Sequence, residues 1–342
     1  MPGSVVTSGL RTEGSDGREA LGTEGEGGMV DEHTGGEDTD GEAPVDSGLS
    51  IPKQTPFYRA ANRGRYQRQD AIAAIQAVTG RKLISYVAES AALTREDVVP
   101  LMDLLHRIPV NSDIDLLLHT SGGDIDAADK IVRILRKRVG ANHELRVVVP
   151  DHAKSAGTLI AIGADWIVMS ESSELGPIDP QIVTRDASGQ TSQRPAHAYV
   201  DGYEALIRTI DDPKSYEDGK RTDAEQLLLS KCDPAMLDLC RQALRRSRQL
   251  AEDLLRQGML REEASYTTVA GDLTNNERWL SQHGAVIDSN DAQTLGLHVE
   301  YHDPGDELWQ AFWRLYCEQR LAIVGPDQLK LLESDYASLP FS

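Results

Sequence analysis

Two short segments combine residues able to do chemistry at a carbonyl carbon. In His119-Thr120-Ser121-Gly122-Gly123-Asp124, two glycines fall where an apolar run ends and a helical pattern begins. Glycines there let the backbone turn sharply and leave an amide N–H bare near the positive end of a helix dipole. That is one half of an oxyanion hole, although an ordinary strand-to-helix turn has the same composition. In His152-Ala153-Lys154-Ser155-Ala156-Gly157-Thr158, a serine precedes small residues at a second such junction. Ser155 can there present its hydroxyl to a crevice at the carboxyl ends of the strands while the Ala156 amide faces the same space. A serine at a helix start is also a common structural cap. The two segments lie about 32 residues apart, both at strand ends, and the pair is more specific than either alone.

The flanking pattern supplies elements to hold them. Leu83–Val87, Ile114–Leu118, Leu145–Val149 and Trp166–Met169 read as short apolar strands. Between and before them, helical periodicity runs over Tyr66–Val78, from Thr94 through Leu105, over Asp124–Val139 and over Ser155–Gly163. Apolar strands alternating with helices predict an α/β fold whose parallel sheet is covered by helices on both faces. Thr184–Arg194 is polar and reads as a surface loop. An amphipathic helix follows over Pro234–Gln257, its arginines a solvated or intersubunit face. Asp291–Leu297 reads as a helical turn leading into a last strand, and Asp306–Arg320 as a final helix. Residues 1–50 hold 12 glycines, 12 acidic residues and no Phe, Tyr or Trp, which predicts a disordered acidic tail. The expected organisation is a tail over 1–55, a catalytic domain over 56–304 and a helical extension over 305–342.

Residues from about Leu83 to Gln181 resemble the Clp/crotonase superfamily, most closely the serine dehydrogenase proteinase family of Clp-fold serine peptidases. The likeness is carried by Leu83-Ile84-Ser85-Tyr86, by Asp115 to Asp124, by Lys154-Ser155-Ala156-Gly157-Thr158-Leu159-Ile160-Ala161 and by Leu175-Gly176-Pro177-Ile178-Asp179-Pro180-Gln181. The resemblance implies a Clp/crotonase-like fold, a serine endopeptidase activity through an acyl-enzyme on Ser155, oxyanion donors at the Gly123 and Ala156 amides, and assembly into a homo-oligomer. It leaves the base open. Clp peptidases carry a histidine some two dozen residues after the serine, where this chain has Asp179. Other relatives use a lysine some forty residues on, where Ala196–Tyr203 offers only His197 and Asp201. Aligning Ala292–Leu297 with the Clp ending sets His283 near the position of the triad acid, giving Ser155, His283 and Asp179 with base and acid exchanged. Lys231, His197 and Asp201 are the alternative bases. Lys154 is expected to be exposed, and His119 and His152, which flank the crevice, to bond locally to backbone or to touch substrate.

Composition narrows the partners. The formal net charge is -20, and without a basic stripe the acidic balance repels phosphate backbones, so no nucleic-acid partner is expected; the substrate that the resemblance implies is a protein or peptide. No run reaches the ~18 apolar residues of a membrane span, and the N-terminus shows no basic and apolar leader pattern. Cys232, Cys240 and Cys317 lack the paired spacing of a zinc site, and Glu171, Glu174 and Asp165 have no histidine at ligand spacing. A cytoplasmic protein without metal or cofactor is the expectation. Two further readings compete with the peptidase: a catalytically silent scaffold of the same fold, and a crotonase-type enzyme acting on coenzyme A thioesters.

Overall fold

Strand parity decides which side chains meet which helix layer. The computed structural model describes residues 55–185, 188–211, 223–275, 277–279, 284–324 and 329–341. The expected acidic tail falls, except for Thr55, outside the described residues. In chain order the elements begin with α1 (Pro56–Ala61), α2 (Arg63–Thr79), β1 (Lys82–Ala88), α3 (Val98–Leu105), β2 (Ile114–His119), α4 (Ile125–Val139) and β3 (Leu145–Val148). Next come β4 (His152–Ala153), α5 (Ala156–Ile162), β5 (Trp166–Met169), β6 (Glu174–Leu175), β7 (Gln181–Arg185), β8 (Thr191–Pro195) and α6 (Ala196–Asp211). The chain continues with α7 (Asp223–Ser230), α8 (Pro234–Gln257), α9 (Tyr266–Leu273), α10 (Ser289–Thr294), β9 (Val299–Tyr301), α11 (Glu307–Ala322), β10 (Lys330–Glu333) and β11 (Ser338–Phe341).

Among the described residues the main sheet runs β11-β10-β1-β2-β3-β5-β9. β1, β2, β3, β5 and β9 are parallel, whereas β10 and β11 are antiparallel. Because side chains alternate along a strand, Ile84 and Tyr86, Leu116 and Leu118, Val147, Ile167 and Met169 enter one core with α3, α4, α5, α8 and α9. Leu83 and Val87, Leu117, Val148 and Val168 enter the other, against α2 and α11. Both faces are thus covered, the α/β arrangement that the apolar strands predict. Each fully buried Leu or Val contributes about 1.5–3 kcal/mol relative to exposure.

α4 shows how the helices are fixed. Its buried Ala127, Ala128, Ile131, Val132, Leu135 and Val139 recur at helical spacing. The Asp124 carboxylate accepts from the Asp126 amide at its start, and Gly140 ends it. α8 occupies the range read from its periodicity, Pro234–Gln257.

Two segments depart from the sequence reading. The polar stretch 184–194, read as a loop, belongs to the β7–β8 hairpin, where Gln181 pairs with Pro195 and Arg185 with Thr191. The hairpin is largely exposed on both faces, so it lacks the alternation that marks a half-buried strand. β9 is not the last strand either, since β10 and β11 extend the sheet beyond β1. β10 carries Lys330 and Glu333, which look like surface residues but are buried in ion pairs. The Lys330 ammonium lies 2.8 Å from Asp97, and Arg68 donates two 2.8 Å bonds to Glu333.

Candidate active site

Hydrogen bonding sets the two chemistry-bearing segments side by side. The Thr120 amide donates to the His152 carbonyl, and the Lys154 amide to the Thr120 carbonyl, both at 3.0 Å. The turn after β2 therefore abuts the turn after β4. β4 in turn pairs with β6. Thr158 Oγ1 lies 2.9 Å from the Ala153 carbonyl oxygen and 2.7 Å from that of Gly176, joining α5 to the Gly176-Pro177 segment.

Ser155 caps α5 with φ 51° and ψ -109°. A left-handed φ is costly for a residue with a side chain and marks a sharp elbow. Gly122 and Gly123 also have positive φ, 102° and 152°. A Cβ on Gly122 would come 2.9 Å from Ser155 Cβ and 3.2 Å from Ala156 N. A Cβ on Gly123 would come 2.3 Å from the Leu93 carbonyl oxygen, so glycine is required for the extended Leu93 segment to lie alongside. That segment is held by bonds from the Leu93 amide to Gly122 and from the Asp124 amide to Leu93, each 2.8 Å.

The consequence is electrostatic. Among the described residues, neither the Gly123 nor the Ala156 N–H spends itself on another protein group. Ser155, Gly122, Gly123, Leu93, Pro180 and Gln181 line one cleft of about 690 Å³. A serine oxygen, a bare amide in the cleft wall and a bare helix-start amide beside it can attack a carbonyl and stabilise the oxyanion that results.

The other expected residues divide. Asp179 and His197 are both buried and joined by a 3.0 Å bond between Asp179 Oδ1 and His197 Nδ1. Gln181 donates to the second carboxylate oxygen of Asp179 at 2.9 Å, linking the pair to the cleft wall. The Ala196 amide bonds Pro180 O at 2.8 Å, which draws the start of α6 to that wall. His283 lies outside the described residues. Lys231 is exposed in the turn between α7 and α8, and Asp201 is exposed on α6.

Two expectations about neighbours are corrected. Lys154 is not exposed: its ammonium lies 3.0 Å from Leu175 O, 3.1 Å from Ala285 O and 3.0 Å from Glu174 Oε1. Three acceptors match its three protons, directing it away from the cleft. Among the described residues, the rings of His119 and His152 do not bond to backbone. They face each other, with centroids 4.1 Å apart, beside Asp151, Tyr316 and Ser121. Burial and the neighbouring His152 push the His119 pKa down to about 4. The His152 ring 3.6 Å away, and a hydrogen bond from the Tyr316 hydroxyl, hold Asp151 far below the usual carboxylate range. The grouping was invisible in sequence because His119 and Asp151 meet only through the pairing of β2 with the β3–β4 region. Asp165 accepts from Arg136 at 2.6 Å and from the Leu145 amide at 2.8 Å, and it also bonds Arg261.

Residues 83–199 match the family of ClpP-like SDH-type serine proteinases. The resemblance carried by the motifs is therefore borne out. Two uncharacterized proteins of Methanocaldococcus jannaschii are similar to the chain. One is 29% identical over 212 residues, covering 62% of each chain; the other is 25% identical over 264 residues, covering 74% of this chain and 76% of its own. The chain thus spans 62% of the length of the first relative. Among solved structures, two mutants of the 1510-N membrane-bound stomatin-specific protease, one in complex with a substrate peptide, are similar at 14% and 16% identity. They cover 63% and 69% of this chain and 94% and 98% of their own, each with a TM-score of 0.31. Among the described residues no helix is long and apolar enough to cross a membrane.

Proposed function

We propose, from the premise that residues 83–199 form a ClpP-like SDH-type serine proteinase segment, that this chain hydrolyses peptide bonds through an acyl-enzyme on Ser155. The observation that carries the reading is the Ser155 elbow with the unspent Gly123 and Ala156 amides beside it. Ser155 Oγ attacks the scissile carbonyl, and the developing oxyanion accepts hydrogen bonds from the Gly123 and Ala156 amides. Removing one such donor costs about 2.7–4 kcal/mol of transition-state stabilisation.

A serine hydroxyl needs a base. The bond between Asp179 and His197 favours His197, with Asp179 as its positioning residue. The pair lines a small pocket adjoining the Ser155 cleft and joined to it through Gln181; with the Nδ1 proton held by Asp179, His197 Nε2 keeps a lone pair that would take the Ser155 proton once substrate brings the two together. The C–N bond then breaks as that proton passes to the leaving amine, and water, deprotonated by the same nitrogen, releases the acid product. His283 is the rival base. The substrate is a protein or peptide strand that enters the cleft along Leu93 and the β7 segment.

Cleavage of denatured, fluorescently labelled casein tests the reading. Activity should vanish in Ser155→Ala and His197→Ala and persist in His283→Ala. Loss in His283→Ala with retention in His197→Ala would transfer the base to His283. One observation favours a silent scaffold: among the described residues Ser155 Oγ has no hydrogen-bond partner. Full-length, folded protein that cleaves no casein or peptide would support that alternative.

A further inference from the structure

The strand pairing that builds the cleft also gathers a second set of side chains behind it. His119 ends β2, and Asp151 and His152 open the β4 segment. Asp151 Oδ2 lies 3.6 Å from His152 Nδ1 and 3.8 Å from His119 Nδ1. One donor atom from each of the three residues falls within 4.8 Å of the others.

His119 is 1% exposed, and among the described residues its Nε2 forms no hydrogen bond. It lies 3.4 Å from Glu89 Oε2, which is itself 3.0 Å from Arg320 Nε. A proton on His119 Nε2 aimed at Glu89 satisfies that nitrogen, and it leaves the Nδ1 lone pair facing Asp151 and the Tyr316 hydroxyl, 3.8 and 3.3 Å away. His152 repeats the arrangement: its Nε2 lies 3.4 Å from Ser121 Oγ while its Nδ1 faces Asp151. Histidines that ligate metals commonly have one ring nitrogen inward and the other secured by an outer carboxylate or hydroxyl.

We propose that His119, His152 and Asp151 form a binding site for a divalent transition metal of the zinc class, ligated through both Nδ1 atoms and the carboxylate. Zinc bonds of about 2.0–2.1 Å in a tetrahedron put neighbouring donors roughly 3.3–3.4 Å apart. The distances in place, 3.6 and 3.8 Å, exceed that by only a few tenths of an ångström. Two imidazoles and a carboxylate suit zinc; calcium and magnesium prefer all-oxygen shells. The Tyr316 hydroxyl donates to Asp151 Oδ2 at 2.7 Å and orients it. Arg320 is the resident cation, 3.5 Å from Asp151 and 3.0 Å from Glu89. Its side chain is 45% exposed, so it can swing into solvent as a metal arrives. The metal would brace β2 against β4 just before the Gly122-Gly123 turn and the Ser155 elbow. This inference does not depend on what Ser155 does.

Titration of the chelator-stripped full chain with zinc chloride by isothermal calorimetry tests it, with cobalt(II) absorption reporting a tetrahedral nitrogen and oxygen field. One zinc should bind per chain. His152→Ala and Asp151→Asn, whose side chains are partly exposed, should keep the native circular dichroism. Each should weaken binding by at least the 10–100-fold that loss of an outer-shell partner costs. Glu89→Gln should weaken it by on the order of tenfold. Absence of stoichiometric binding, or binding undiminished in folded His152→Ala and Asp151→Asn, would overturn the proposal.

Discussion

Replacing Gly122 by alanine probes the geometry on which the proposed chemistry depends. The added methyl would sit 2.7 Å from the Lys154 carbonyl oxygen and 2.9 Å from Ser155 Cβ. A carbon–oxygen contact relaxes to about 3.3–3.6 Å, so the glycine turn and the serine elbow must part by roughly 0.6–0.9 Å. Displacement near 1 Å costs on the order of 100-fold in rate, equivalent to about 2.7 kcal/mol. The positive φ of 102° adds strain of roughly 1–2 kcal/mol to the folded state. Gly80→Ala separates the two effects. Gly80 has φ 70° and no atom within 4 Å of an added Cβ, so it should lose a similar stability without touching the site. The assay is the second-order rate of labelling by a fluorophosphonate, beside urea denaturation of each variant. Gly122→Ala should label about 100-fold more slowly and Gly80→Ala at the wild-type rate. Wild-type labelling of folded Gly122→Ala would refute the claim that this turn sets the oxyanion geometry.

Asp179→Asn keeps the shape of the side chain but no longer fixes the His197 tautomer. Fluorophosphonate labelling should slow by on the order of 10⁴-fold while urea stability changes little; an unchanged rate would remove Asp179 and His197 from the mechanism. Arg68→Met strands the fully buried Glu333 carboxylate, leaving it, among the described residues, Gln319 and Ser338 as donors. Unfolding free energy should fall by about 3–5 kcal/mol, and a loss below about 1 kcal/mol in urea titration would mean that the pair behaves as a surface salt bridge.

The legible parts of the molecule were those whose information is local. The runs at Leu83–Val87 and Ile114–Leu118 are apolar because both faces of the sheet are covered, and their order gave the parallel core. The two turns were readable because glycine and serine announce backbone demands that larger residues cannot meet. What stayed hidden depends on contacts between distant residues. Hydropathy conceals β10, since Lys330 and Glu333 are tolerated inside only through Asp97 and Arg68, more than 230 residues away. Asp179 and His197 were both candidates, yet their bond spans the β7–β8 hairpin, which read as a loop. The His119, Asp151 and His152 set shows no metal-ligand spacing in sequence because β-pairing, not helical periodicity, brings it together.

The most direct test of the central claim is a peptide map of the full chain after exposure to a fluorophosphonate. One adduct is expected, on Ser155, absent from Ser155→Ala and from heat-unfolded protein. A folded chain with no adduct, or with its adduct on another serine such as Ser121, would contradict it.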